Sequence, residues 1–341
     1  MKAFQILGPN QSNLTVIPEP TCEARDVILQ AEFIGLCGSD LSTFAGRNAL
    51  VQYPRIPGHE ISALIVQRGA EVPDTLKVGM RVAVVPYTSC GVCSACVRGK
   101  PNACRANKTL GVQQDGALTE RIAVPWQNVL VAGNLSPREL VFVEPLSVGF
   151  HAIDRANVKD NDTVLVLGCG MIGLGAIAGA SLRAARTIGA DIDDTKLSIA
   201  TKFGAQYTIN AQSTNLHEAV SDLTDGSGPD VVVEAAGNAR TYSDAFKLVS
   251  FAGRVACIGY TSGEVPLATR LFVQKELDIL GSRNATRFDF ESALRQLEKR
   301  AIPVEHAISE ISSTRNLSRT FESWAAEPDR FTKILVDTAQ W

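Results

Sequence analysis

The sequence has no block of basic residues, no marked excess of either charge and no long apolar run free of interruption. Its 33 basic and 36 acidic residues leave a formal charge of −3, which gives no electrostatic case for binding nucleic acid or an anionic membrane. The most apolar stretch, Val164 to Ala185, is broken by five glycines and carries Arg183. It reads as a buried strand and helix, not as a membrane span. The N-terminal run Met1-Lys2-Ala3-Phe4-Gln5-Ile6 lacks the apolar core and cleavage site of a secretory signal, and there is no repeat, low-complexity tract or flexible linker. A cytoplasmic protein is therefore expected. In that reducing setting the eight cysteines are metal ligands or buried thiols, not disulfides.

What is present fits a globular enzyme. A chain of 341 residues, 45% hydrophobic and 20% charged, is long enough for about two domains. The first part reads as short strands and turns: Val27, Leu29, Ala31 and Phe33 alternate with Ile28, Gln30 and Glu32, the pattern of a half-buried strand. From about Asp162 strands and helices alternate, with strands expected at Val164–Leu167, Thr187–Ala190, Tyr207–Ile209, Val231–Glu234, Val255–Gly259 and Leu277–Leu280. Alternation of this kind implies a doubly wound parallel sheet that binds a dinucleotide. Beyond it lie a helix, Phe288–Arg300, and a late strand, Lys333–Asp337, expected to return to the N-terminal domain.

Gly168-Cys169-Gly170-Met171-Ile172-Gly173 directly follows the apolar strand and opens an apolar helix. A lone glycine motif is weak, but this context is the one it requires. Gly168 permits the tight turn, Gly170 lets backbone approach a pyrophosphate, and Gly173 lets helix and strand pack. The helix N-terminus offers free N–H groups to the phosphates. Asp191 closes the next strand, about 20 residues on, where an acid binds ribose hydroxyls. Ile192, Asp193 and Asp194 follow it, with no arginine for a 2′-phosphate, so NAD is favoured over NADP. Ala235, Gly259 and Ser282 are further expected cofactor contacts.

Cys90, Cys93, Cys96 and Cys104 are spaced C-x2-C-x2-C-x7-C, so one loop can wrap four thiolates round a tetrahedral ion. Such a closed shell is a structural zinc site. A ferredoxin cluster run ends C-x3-C followed by proline, whereas here the last gap is longer and Arg105 follows. A second set is scattered: Cys37 in Gly35-Leu36-Cys37-Gly38-Ser39-Asp40, His59 and Glu60 in Gly58-His59-Glu60, and Glu144 before Pro145. Thiolate, imidazole and carboxylate leave a vacant tetrahedral corner, as catalytic zinc needs. Taken singly, a lone cysteine is usually a small buried hydrophobe and a lone histidine a hydrogen-bonded structural residue.

Together, in this order, these motifs resemble the zinc-dependent medium-chain dehydrogenases across essentially the whole chain, within the sorbitol and polyol branch. The resemblance implies a GroES-like β-rich catalytic domain at 1–146, a doubly wound Rossmann domain at 147–282 and a segment, 283–341, returning to the catalytic domain. It implies a catalytic zinc on Cys37, His59 and an acid, with Glu60 and Glu144 both kept for that place, and a structural zinc on the four cysteines. Ser39 becomes the first proton acceptor, although a turn hydroxyl capping local backbone is its plain alternative. Many relatives carry histidine five residues after the zinc cysteine; Ser42 stands there, which leaves the proton exit unassigned.

The implied activity is NAD-linked oxidation of a secondary alcohol to a ketone. The tract Gly281-Ser282-Arg283-Asn284-Ala285-Thr286 resembles that of bacterial hexonate dehydrogenases acting on L-galactonate or L-gulonate. Arg283, with Asn284, is a candidate for gripping a substrate carboxylate, or else contacts NAD or forms a surface ion pair. The alternatives are a threonine-type or simple alcohol dehydrogenase and, in another class, a non-catalytic NAD-binding scaffold with one zinc instead of two. Relatives are commonly dimers or tetramers, and Val265 to Val273 is the stretch expected to serve such an assembly by analogy.

Overall fold

The computed structural model describes residues 1–261, 263–339 and 341. The chain forms two compact units, one of residues Met1–Glu144 and Phe290–Trp341, the other of Pro145–Asp289. Strand Lys333–Asp337 pairs antiparallel with the end of Asp26–Leu36, which ties the last part of the chain into the first unit.

In the first unit the long strand Asp26–Leu36 is the spine. Glu60–Arg68 lies along one edge; Arg121–Pro125 and Lys333–Asp337 share the other. Beyond these lie Arg81–Val84, Val129–Val131 and Ile308–Ser313 in a seven-stranded sheet. The expected alternation along the spine is interrupted. Register shifts against Glu60–Arg68 fall between Ile28 and Leu29 and between Ala31 and Phe33, so Ile28 and Ile34 are buried while Phe33 is only half-buried. Bulges re-aim side chains in this way. The core includes Phe4, Phe44 and Phe321, with Phe4 and Phe44 at 5.4 and 5.3 Å from the Phe321 ring centre.

The second unit holds a parallel sheet in the order Tyr207–Asn210, Arg186–Asp191, Thr163–Leu167, Val231–Glu234, Arg254–Cys257, Asp278–Gly281. In chain sequence that is 3-2-1-4-5-6, the doubly wound dinucleotide order, with its switch point between the first and fourth strands. The fifth strand ends at Cys257 and not at Gly259. The N–H groups of Ile258 and Gly259 turn instead to the carbonyl of Glu234, at 2.9 and 3.1 Å.

The divisions fall at Pro145 and Phe290, against the expected 147 and 283, and the reason is local. Each crossing lies inside a helix, Val143–Arg155 or Arg287–Glu298. The stretch after the sixth strand stays fastened to the second unit: the Ser282 N–H donates to Cys257 O at 2.9 Å, and Asp289 bonds His151 Nδ1 at 2.9 Å. Ser282, Arg283 and Asn284 therefore belong with the nucleotide fold. Among the described residues no helix is long and apolar enough to cross a membrane.

Candidate active site and metal centres

The cysteine lobe is compact. Cys93 Sγ lies 3.6 Å from Cys96 Sγ and 3.8 Å from Cys104 Sγ, and Cys104 Sγ lies 3.6 Å from Cys90 Sγ. Four sulfurs each about 2.3 Å from a central zinc would be separated by roughly 3.8 Å, so the lobe has the dimensions of a tetrahedral thiolate site. Backbone N–H groups of Arg105 and Cys96 point at Cys93 and push its thiol down to about 6, while burial and neighbouring sulfurs push Cys96 up to about 11. The donor set fits zinc.

The second cluster is built by three elements. Cys37 caps the helix Gly38–Phe44, His59 immediately precedes strand Glu60–Arg68, and Glu144 sits in the first turn of Val143–Arg155. Ligand atoms of Cys37, His59 and Glu60 all lie within 4.8 Å of one another. The expected trio thus meets in space, with His59 and Glu60 buried. Glu144 lies near enough to act electrostatically on His59 and Glu60, and its Oε1 accepts a short hydrogen bond from the Tyr87 hydroxyl.

Three residues that sequence reasoning passed over shape this cluster. Lys333 Nζ donates to both oxygens of Glu60, at 2.6 and 2.7 Å, and to Leu36 O at 3.1 Å. Tyr87 anchors Glu144, and burial, then that carboxylate, push its phenol well above the ordinary tyrosine range. Asp40 accepts from Cys37 N at 2.9 Å and Gly58 N at 3.4 Å, and its Oδ1 stands 3.9 Å from His59 Nδ1. Burial pushes the Asp40 carboxyl up. For His59, burial works against charge, but Asp40 and Cys37 outweigh it and hold the ring well above its usual value. A lysine at the head of the apolar run Ile334-Leu335-Val336 in strand Lys333–Asp337 is the signal that would have pointed to a buried partner.

Asp40, Glu60, Glu144 and the Cys37 thiol gather around the Lys333 ammonium and the His59 ring, and buried carboxylates need cations or hydrogen bonds. His59 Nδ1 and Ser39 Oγ are both buried without a hydrogen-bond partner. Sulfur, imidazole and carboxylate donors are those of zinc, so the residues present fit a second zinc ion.

The glycine turn links strand Thr163–Leu167 to helix Met171–Ser181, with Gly168 at φ +96°. A Cβ on Gly173 would lie 1.8 Å from Gly168 O, so that glycine answers to internal packing. A Cβ on Gly170 would meet nothing within 4 Å. Packing does not require glycine there, which fits space kept for a ligand's phosphates. Asp191 reaches this turn, its Oδ2 accepting from Cys169 N at 2.7 Å. Met171 and Ile172 open the helix; Ala235, Gly259 and Ser282 lie just past the ends of the fourth, fifth and sixth strands. Arg283 and Asn284 are half-buried and already engaged with other groups.

A doubly wound parallel sheet and a β-rich unit with, among the described residues, two cysteine-containing clusters able to hold a metal fit a zinc dehydrogenase architecture. Family models agree: residues 23–134 match the alcohol dehydrogenase GroES-like domain and 172–299 the zinc-binding dehydrogenase domain. The chain is 34% identical over 335 residues to an uncharacterized zinc-type alcohol dehydrogenase-like protein of Haemophilus influenzae, covering 98% of each. It is 32% identical over 298 residues to L-galactonate-5-dehydrogenase of Escherichia coli, covering 87% of each. A crystal structure of the E. coli alcohol dehydrogenase rspB complexed with NADH superposes with a TM-score of 0.92 at 30% identity, covering 99% of both chains. The chain belongs to the zinc-binding alcohol dehydrogenase family and is an oxidoreductase.

Proposed function

We propose that the chain is an NAD-linked dehydrogenase that oxidises a secondary alcohol of a polyol or sugar acid, hexonates included, to the ketone. The observation that carries this reading is the meeting of half-buried Cys37 with buried His59 and Glu60, with the unpartnered Ser39 hydroxyl two residues along the chain from Cys37. When bound, zinc supplies charge that lowers the pKa of an alcohol, and NAD supplies the acceptor for a hydride.

The chain's own residues do the rest. Cys37 and His59 hold the catalytic ion with an acid, Glu60 or Glu144; Lys333 and Tyr87 fix where those two carboxylates stand. Ser39 Oγ accepts the alcohol proton, since a hydroxyl both accepts and donates. Asp191 binds the ribose hydroxyls and repels a 2′-phosphate, which selects NAD. Gly168, Gly170, Met171, Ile172 and Gly173 cradle the pyrophosphate, and Ala235, Gly259 and Ser282 serve the other half of the cofactor. The thiolates of Cys90, Cys93, Cys96 and Cys104 close a structural zinc shell with no corner for substrate.

Arg283 offers a planar fork suited to a carboxylate, with Asn284 beside it; together with the named activity of the E. coli galactonate relative, this favours a sugar acid. A cytoplasmic homo-oligomer is part of the same reading. The test is a panel of hexonates, polyols, threonine and simple alcohols with NAD and with NADP, followed by absorbance of the reduced cofactor. Reduction of NAD by hexonates or polyols is expected. Turnover confined to threonine or simple alcohols, or seen with NADP alone, overturns the reading.

A further inference from the structure

Glu234 ends the fourth strand of the nucleotide fold, at the point where the strand order reverses, and is completely buried. Its Oε1 accepts from Ala236 N at 3.1 Å, Gly237 N at 2.8 Å and Thr241 Oγ1 at 2.7 Å. Its backbone carbonyl accepts from Ile258 and Gly259. The turns after the fourth and fifth strands are thus pinned to this one residue. A Cβ on Gly259 would lie 2.4 Å from Gly237 N and 2.6 Å from Glu234 Oε2, so the two turns press together with the carboxylate between them.

The other oxygen, Oε2, is buried with no hydrogen-bond partner. Among the described residues no lysine, arginine or histidine pairs with Glu234. Neutral donors alone hold a buried carboxylate, an arrangement that ordinarily calls for a cation. In a sheet of this order each half binds one mononucleotide outside the carboxyl ends of its strands. Asp191 lies in the first half, next to the glycine turn, and serves the adenosine ribose; the fourth to sixth strands are left for the nicotinamide half.

We propose that Glu234 is an electrostatic positioning residue for the cofactor, whose buried negative charge favours the cationic pyridinium of NAD⁺ over the neutral dihydropyridine of NADH. It rests on the proposed use of NAD. Glu234 need not touch the ring, because a charge acting through a protein interior is felt at about 10 Å with an effect on the order of tenfold in affinity.

The test compares dissociation constants of NAD⁺, NADH and ADP-ribose, by calorimetry and by NADH fluorescence, in wild type, Glu234→Gln and Thr241→Val. Glutamine keeps the acceptor for the two turn N–H groups and removes only the charge; valine at 241 keeps the charge and removes one hydrogen bond. In Glu234→Gln, NAD⁺ is expected to weaken about tenfold relative to NADH, with ADP-ribose unchanged. In Thr241→Val the ratio of NAD⁺ to NADH affinity is expected to stay at the wild-type value. An unchanged ratio in Glu234→Gln overturns the proposal, as does an equal change of the ratio in Thr241→Val. Thermal melting checks that each variant is folded, and Glu234→Met takes the place of glutamine if that variant is not. A wild type that binds neither NAD⁺ nor NADH would instead sink the proposed function.

Discussion

Lys333 and Glu60 are 273 residues apart in the chain, yet the ammonium grips both carboxylate oxygens, at 2.6 and 2.7 Å, with both side chains shut away from water. The fold makes room for this pair at Gly35, where a Cβ would lie 1.9 Å from Glu60 Oε2. Removing one partner of a buried pair leaves an uncompensated charge and costs about 3–5 kcal/mol. Lys333→Met is therefore expected to lose about that much stability in metal-free protein, measured by urea unfolding after chelation. Added zinc should restore part of the loss, since an ion held by Cys37 and His59 supplies positive charge beside Glu60. Equal losses with and without zinc would separate this pair from the metal site.

Ser39 gives a kinetic prediction. Its hydroxyl is buried without a partner in the first turn of the helix capped by Cys37, so removing it breaks no hydrogen bond of the fold. Ser39→Ala is expected to lower turnover by about 10²-fold or more, the usual range for losing a positioned proton acceptor. NAD affinity and melting temperature should be unchanged. Wild-type turnover across the pH range would take Ser39 out of the reaction.

The glycine turn and the cysteine lobe were legible in the sequence because each is built from residues a few positions apart, whose spacing reports the geometry directly. The six sheet strands were legible as apolar runs, with ends displaced where turns recruit residues, as Ile258 and Gly259 are drawn to Glu234. The trio of Cys37, His59 and Glu60 was visible only as a set of ligand types, and Glu144, kept as an equal alternative, is near enough to His59 and Glu60 to act on them electrostatically while bonded to Tyr87. Lys333 could not be paired by spacing at all. Its partner is set by the register of Lys333–Asp337 on Asp26–Leu36 and of that strand on Glu60–Arg68, which is a property of the assembled sheet.

The cysteine lobe carries the metal prediction. Among the described residues two donor clusters are present, so metal analysis of the intact protein should find about two zinc ions per chain. Cys93→Ser is expected to lose one of them and leave the Cys37 cluster loaded. Hydrogen exchange should rise in residues 88–108 alone, because a structural zinc supplies folding energy to the loop that wraps it. Retention of both ions by Cys93→Ser would show that the lobe is not a four-thiolate site.

Asp289 links acid stability to the end of the nucleotide unit. Burial opposes its charge, yet hydrogen bonds from His151 and from the hydroxyl and backbone N–H of Thr286 outweigh burial and hold the carboxyl below its ordinary value of 3.8. A group whose folded pKa is depressed binds fewer protons than in the unfolded chain between the two values, so stability rises with pH through that window. The contribution is complete above about pH 4 to 5 and is lost as pH falls through the folded value. Asp289→Asn removes the titrating group and weakens the His151 and Thr286 contacts. The variant should be less stable than wild type at neutral pH, and the gap should narrow steadily below about pH 4, read from urea midpoints at a series of pH values. A gap independent of pH would mean that the charge on Asp289 contributes nothing to the fold beyond its shape.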